Sequence, residues 1–256
     1  MPVLRGIEIT LVNQLEKRPL EEYPHPEGSL GQVLRGPSPN RGTEVSSSAH
    51  QHEGYPMASV YVASIPETPF AVKYRVCQVP PEPARYMLFN LSMNSRDMAA
   101  WSIDTSVQLE GRAARSFWMP SGQHEGEIGL DERTFVFLPS RDTSVAEDGG
   151  LIEVKVFRAS ERRPRSPELS EFQYRNNYGV FAPRMGLLEV TEHKYYEHIL
   201  IDPRDAPYAT FRFHYRAMQN LRDLHLIPSG VQSEREPIPA SSGISTTFGE
   251  VDFRGV

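Results

Sequence analysis

The run Ala209–Arg216 constrains this chain more than any other segment, because Phe211, Phe213 and Tyr215 alternate without exception with Thr210, Arg212, His214 and Arg216. A period of two sends successive side chains to opposite faces of a strand, so three rings share one side and polar groups the other. Such a strand must bury its aromatic face against a second layer. The segment therefore reads as a core strand of a layered β protein.

The same period recurs along the chain. Gly6–Val12 sets Ile7, Ile9 and Leu11 against Glu8 and Thr10, and Phe70–Cys77 sets Phe70, Val72, Tyr74 and Val76 against Lys73, Arg75 and Cys77. Tyr86–Met93 groups Met87, Phe89, Leu91 and Met93, and Leu151–Phe157 groups Ile152, Val154 and Val156. Ala58–Ile65, Met98–Ile103 and Thr134–Leu138 are β-branched or apolar enough to join them, while Ser106–Met119 reads either as one bent strand or as two short ones. Turn chemistry separates these runs: Pro66-Glu67-Thr68-Pro69, Pro80-Pro81-Glu82-Pro83, Asn94-Ser95-Arg96 and Asp148-Gly149-Gly150. Met218–His225 carries Met218, Leu221, Leu224 and His225 at helical spacing and stops before Pro228, which predicts a short helix covering one end of the sheets.

Recurring strands with one short C-terminal helix select an all-β fold, an antiparallel β-sandwich of jelly-roll-like or immunoglobulin-like topology. A chain of 256 residues fits one such domain, expected over residues 1–227. Tyr23–Pro56 is rich in Pro, Gly, Ser, His and charge and reads as a disordered insertion, and residues 228–256 read as a polar, flexible tail. A single cysteine, Cys77, rules out an internal disulfide and a Cys-rich zinc site, so packing must hold the fold. The opening Met1–Gly6 lacks the basic and apolar regions of a secretory signal, and no run approaches the ~20 apolar residues of a membrane helix. A cytoplasmic or nuclear location is the expectation. A formal charge of -6 disfavours nucleic acid as a partner.

Three stretches carry a family resemblance: Leu4-Arg5-Gly6-Ile7-Glu8-Ile9, the segment Asp148–Ala159 and the segment Leu200–Arg216. Together they resemble an uncharacterised fungal family of β-rich proteins defined as a domain of unknown function. The resemblance spans roughly Met1 to Pro228 in order, leaving out Tyr23–Pro56 and the tail. It implies a fungal, intracellular β-rich domain and supplies no catalytic residues.

Candidate sites are few. His193, Glu197, His198 and, from a distant strand, His214 offer metal-ligand chemistry, although His193-x-x-x-Glu197-His198 misses the zinc-protease spacing by one residue. Read blandly, they are partly exposed polar groups before a core strand. Arg158, Arg162, Arg163 and Arg165 form the densest basic cluster, either a patch for an acidic partner or nuclear import, or an exposed loop between strands. Ser166-Pro167 lies directly after it, and phosphate added there would sit beside arginines; Ser38-Pro39 repeats the dipeptide. Cys77 has basic neighbours on its strand face but no sequence-near histidine to act as base, and His50-Gln51-His52 sits in a Ser-rich segment. Trp101, Trp118 and Tyr55 would suit a glycan platform unless the tryptophans are core.

No glycine-rich phosphate loop, dinucleotide fingerprint or nucleophile elbow appears, so no cofactor is expected. The leading expectation is a non-catalytic protein-interaction module with a protein partner, homo-oligomerisation being open. The alternatives are a metal-dependent enzyme on a jelly-roll-like sandwich and a glycan-binding module.

Overall fold

The computed structural model describes residues 1–26, 30–33, 55–118, 130–137, 149–166, 184–188 and 195–227. Two sheets face each other across one core. The first runs β1 (Val3–Leu4), β2 (Ile7–Asn13), β7 (Pro69–Val76), β12 (Leu130–Val136), β11 (Arg115–Trp118). To it are added β3 (Arg18–Pro19) on β2, β10 (Glu110–Ala113) on β7 and β14 (Arg184–Leu188) on β12. The second runs β4 (Glu22–Pro24), β6 (Tyr55–Ser64), β16 (Ala209–Ala217), β13 (Gly150–Arg165), β8 (Tyr86–Met93), β9 (Arg96–Asp104), with β5 (Leu30–Val33) on β6 and β15 (Tyr195–Leu200) on β13.

The apolar alternation fixes what lies between the sheets. Ile7, Ile9, Leu11, Phe70 and Val72 from the first sheet meet Phe89, Leu91, Ile152, Val154, Val156, Phe211 and Phe213 from the second in one cluster closed to water. Rings join the layers: Tyr74 packs on Phe89 with centroids 5.0 Å apart, and Phe137 on Tyr215 at 5.5 Å. Phe70 stacks on Phe137 at 4.4 Å, which anchors β7 beside the end of β12. The all-β sandwich expected from the sequence is the fold observed.

Strand direction holds one departure. Among the described residues the ladders are antiparallel except that β16 pairs with β6 in parallel, with Phe213 opposite Val60. Alternation states which face a side chain takes but not which way its neighbour runs, so this pairing lies beyond the pattern. The Ser106–Met119 ambiguity resolves into two short strands, β10 and β11, lying on different partners; Met119 itself is outside the described residues.

The predicted hairpin at Asn94 and Ser95 forms with both residues at positive φ, 50° and 63°, as a two-residue turn matched to the twist of its strands requires. Asn94 does more than turn: its Oδ1 accepts from the Leu151 N–H at 2.8 Å and its amide donates to the Tyr215 hydroxyl at 2.9 Å. The hairpin is thereby tied to two central strands.

Helix α1 (Met218–Asp223) lies inside the predicted span, and His225 at φ 56° ends it. Leu221 buries its side chain with Tyr23, Ala63 and Ile227 in a second small cluster at the β4–β6 side of the sandwich. Within Tyr23–Pro56, which the composition marks as an insertion, Leu30–Val33 pairs antiparallel with β6. Residues 34–54 and the tail 228–256 lie outside the described residues.

Candidate functional site

The basic segment is strand, not loop. β13 pairs with β16 as far as Val156 and with β8 as far as Ala159, then continues through Arg165 with β15 as its partner among the described residues. A register shift between Ala159 and Glu161 leaves Ser160 as an extra residue where the strand leaves the sheet, the usual role of a bulge. Past that bulge, β13 and β15 form a two-stranded ribbon. Pro164 is tolerated there because an edge position needs no ladder bond from its nitrogen.

Strand geometry disperses the four arginines expected to act together. Arg158 stays at the sandwich: its guanidinium grips Asp202, Nη2 to Oδ1 at 2.7 Å, and lies over the Tyr208 ring at 4.5 Å. Arg162 pairs across the ribbon with His198 and stacks over both Tyr86, at 4.9 Å, and Tyr196, at 4.5 Å. It is pinned against the body. Arg163 and Arg165, one residue out of phase, take the opposite face with their cross-strand neighbours Glu197 and Tyr195.

Counted over the described residues, the charges of that second face balance. Arg163 bridges Glu161 at 3.1 Å, and counting Arg163 and Arg165 against Glu161 and Glu197 gives two positive and two negative charges. Ile199, 41% exposed, stands opposite Glu161 among them. Among the described residues the ribbon offers mixed charge, with one apolar side chain at the end nearest the sandwich.

The proposed metal set is not assembled. Glu197 and His198 are consecutive in β15 and point to opposite faces, while His214 lies opposite Leu151, eleven residues before the Arg162 that faces His198. Eleven residues of strand span roughly 36 Å, far beyond any coordination sphere. His193 lies outside the described residues, as do His50 and His52. Among the described residues no three His, Cys, Asp or Glu side chains gather closely enough to hold a metal ion. His198 instead has a buried Nε2 with no hydrogen-bond partner, and burial, reinforced by Arg162 and Arg165, pushes its pKa down.

Trp101 belongs to the core edge rather than to a glycan platform: its ring stacks on Phe89 at 5.3 Å and 4° and packs near Tyr74 at 5.9 Å. The side chains of Tyr55 and Trp118 are outside the described residues. Cys77 is exposed with Sγ 3.9 Å from a Glu8 oxygen, and that carboxylate is already paired with Arg75.

Sequence reasoning missed one cluster. On the outer face of the second sheet His25, just past β4, stacks on Tyr61 at 5.3 Å, and His214 packs on both, 5.0 Å from His25 and 5.2 Å from Tyr61. Arg216 lies over Tyr61, and Arg212 donates to Glu153, which Lys155 also contacts. No local motif announces this, because β4 must fold back on β6 before His25 and His214 meet. Burial, then His25, Arg216 and Arg212, push the His214 pKa down to about 4.

The sign of the consequence is fixed. An unfolded histidine titrates near 6.5, so the folded state holds fewer protons between that value and about 4, and stability present above pH 6.5 is lost as pH falls through this window. The full shift corresponds to about 3 kcal/mol, and solvent screening at this half-buried site reduces it to about 1–2 kcal/mol. Urea unfolding at pH 7 and pH 4.5 is expected to show the His214→Asn variant losing less stability on acidification than the parent; parallel losses would remove His214 from the account.

Fold and site together define an all-β sandwich that extends one central strand into a two-stranded ribbon. Comparison of the chain with protein-family models, with curated proteins and with solved structures found no match.

Proposed function

We propose that this chain is a non-catalytic protein-interaction module, acting inside the cell, and that its contact element is the ribbon of β13 and β15. The observation that carries the reading is the departure of β13 from both flanking strands after Ala159. From Glu161 onward, among the described residues, its backbone has a ladder to β15 on one side and none to β8 or β16, which is the template an extended segment of a partner chain completes by adding a strand. The mixed-charge face, with Ile199 at the end where the ribbon leaves the sandwich, supports the same reading. Side chains of this kind give an added strand its register, while the backbone supplies affinity.

An intracellular setting agrees with a lone exposed thiol, Cys77, which an oxidising compartment would leave open to intermolecular pairing. Among the described residues no helix is long and apolar enough to cross a membrane.

Site-specific photo-cross-linking tests the assignment. A benzophenone side chain placed at position 163 or 199 is expected to yield a discrete protein adduct in the native cell, and one placed at Lys73, exposed on the outer face of the first sheet, is not. Ile199→Asp should lower the yield from position 163 by roughly tenfold, the loss of about 1.4 kcal/mol of contact. Equal adducts from Lys73, or none from the ribbon, would refute it.

A further inference from the structure

We infer that the ribbon face turned toward Tyr86 is an oxyanion site, with Arg162 as its fork and His198 as a second positive group, and that its ligand is a doubly charged tetrahedral anion, a phosphate or sulfate group. Strand register sets the face. Arg162 stands directly opposite His198 and Pro164 opposite Tyr196, all four on the side away from Arg163, Glu197 and Ile199. Arg162 is half-buried, its guanidinium 4.9 Å from the Tyr86 ring and 4.5 Å from the Tyr196 ring. Ring contacts fix where a guanidinium lies but give its N–H donors no oxygen to bind. Along the same strand Arg158 grips Asp202 and Arg163 holds Glu161. Arg162 has no such acid: among the described residues no carboxylate or carbonyl accepts from it.

Electrostatics point the same way. Arg163 and Arg165 are matched by Glu161 and Glu197 on the other face, so the positive charge left over among the described ribbon residues is that of Arg162. The charged and titratable groups around His198 are Arg162 and Arg165 of β13 and Tyr196 of its own strand. Beyond Arg162 lie Tyr86 and Arg85, the latter already paired with Asp104. Burial, then Arg162, then Arg165 hold His198 below its ordinary pKa, so a neutral imidazole stands in a positive field.

A dianion at the edge of the guanidinium reverses that field and draws a proton onto His198. The imidazolium adds its charge through space, since Nε2 is closed to water and need not touch the ligand. Binding therefore takes up a proton and tightens as pH falls. A carboxylate fits the fork but, singly charged, cannot match both positive groups. The site stands whether or not the edge of β13 docks a partner strand.

The test is sulfate, which keeps both charges across the pH range used, added to the full chain at constant ionic strength and followed by the Arg162 Nε–H and His198 ring resonances. A saturable shift is expected at pH 7.5, with affinity rising by roughly three- to tenfold at pH 5.5. Arg162→Gln should weaken sulfate by at least roughly tenfold, and Arg162→Lys, which keeps the charge without the fork, by less. His198→Gln should still bind but with a flat pH profile. Arg163→Ala, on the opposite face, should change the affinity by less than about twofold. Phenyl phosphate run beside inorganic phosphate separates the sources: tighter binding of the ester assigns a phosphate monoester, equal binding the free ion. No saturation by sulfate, an unchanged affinity in Arg162→Gln, or acetate binding as tightly as sulfate would overturn the site.

Discussion

Replacing Phe213 with alanine is expected to lower the free energy of unfolding by about 3–5 kcal/mol, the range for a fully buried ring lost from a core. Phe213 has no exposed surface and stands on the central strand β16 between Val60 of β6 and Ile152 of β13. Truncation removes the transfer free energy of the ring and leaves a cavity that these neighbours, themselves held in two ladders, cannot close. A domain of ordinary stability has about 5–15 kcal/mol in hand, so a third or more of it goes with one side chain. Phe213→Leu, which keeps most of the volume, should cost about 1–2 kcal/mol. Equilibrium urea unfolding monitored by tryptophan fluorescence checks both values, because Trp101 reports from the rim of the same core. A loss below about 1 kcal/mol for the alanine variant would mean that Phe213 does not lie between the sheets.

The legible part of the fold is the part with two unlike environments on its two sides. Wherever one face of a strand meets the core and the other meets polar surroundings, as along Phe70–Val76 or Ala209–Ala217, period-two alternation is forced on the sequence and can be read back. The ribbon has no such contrast. Neither face of Glu161–Arg165 looks into the core, so nothing selects an apolar residue at every second position, and a paired strand takes on the composition of a loop. Its arginines read as one cluster only because they are close in sequence. Once the segment is strand, Arg162 and Arg163 must part to opposite faces, and the expected basic patch divides into a stacked residue and a neutralised one.

Direction and closure were illegible for a related reason. The parallel β6–β16 pairing and the meeting of His25 with His214 both depend on how segments far apart in the chain are brought side by side, and alternation within one segment carries no record of that. The separation of His198 from His214 is the same effect with the opposite sign: residues proposed to converge lie on remote stretches of one long strand's partners. Only the hairpin at Asn94 had a local signal sufficient for both its shape and its place, since asparagine accepts positive φ and its side chain then binds the neighbouring strands.

The second large effect is expected at Asp202, where Asp202→Ala should cost about 2–3 kcal/mol. Asp202 is buried and its carboxylate accepts from the Arg158 backbone N–H at 2.7 Å as well as from the guanidinium, so it satisfies the strand at the point where β13 leaves the sheet. Arg158 in turn shares the Tyr208 ring with Arg5, which sits in the turn between β1 and β2 of the opposite sheet, and the Tyr208 hydroxyl lies 3.4 Å from the Arg5 carbonyl. Removing the carboxylate leaves a mostly buried guanidinium and a backbone donor without their acceptor, which is the costly way to break an ion pair. The value sits below the roughly 3–5 kcal/mol of a fully buried pair because the Arg158 side chain keeps 25% of its surface in water. Asp202→Asn, retaining an acceptor without the charge, should fall near about 1 kcal/mol. Adding Arg158→Met to Asp202→Ala should recover part of the loss, since the double variant no longer buries an unmatched charge. A double-mutant cycle by urea unfolding separates the possibilities: if the two single losses simply add, the pair is not coupled and the link between the sheets at this end rests on Tyr208 alone.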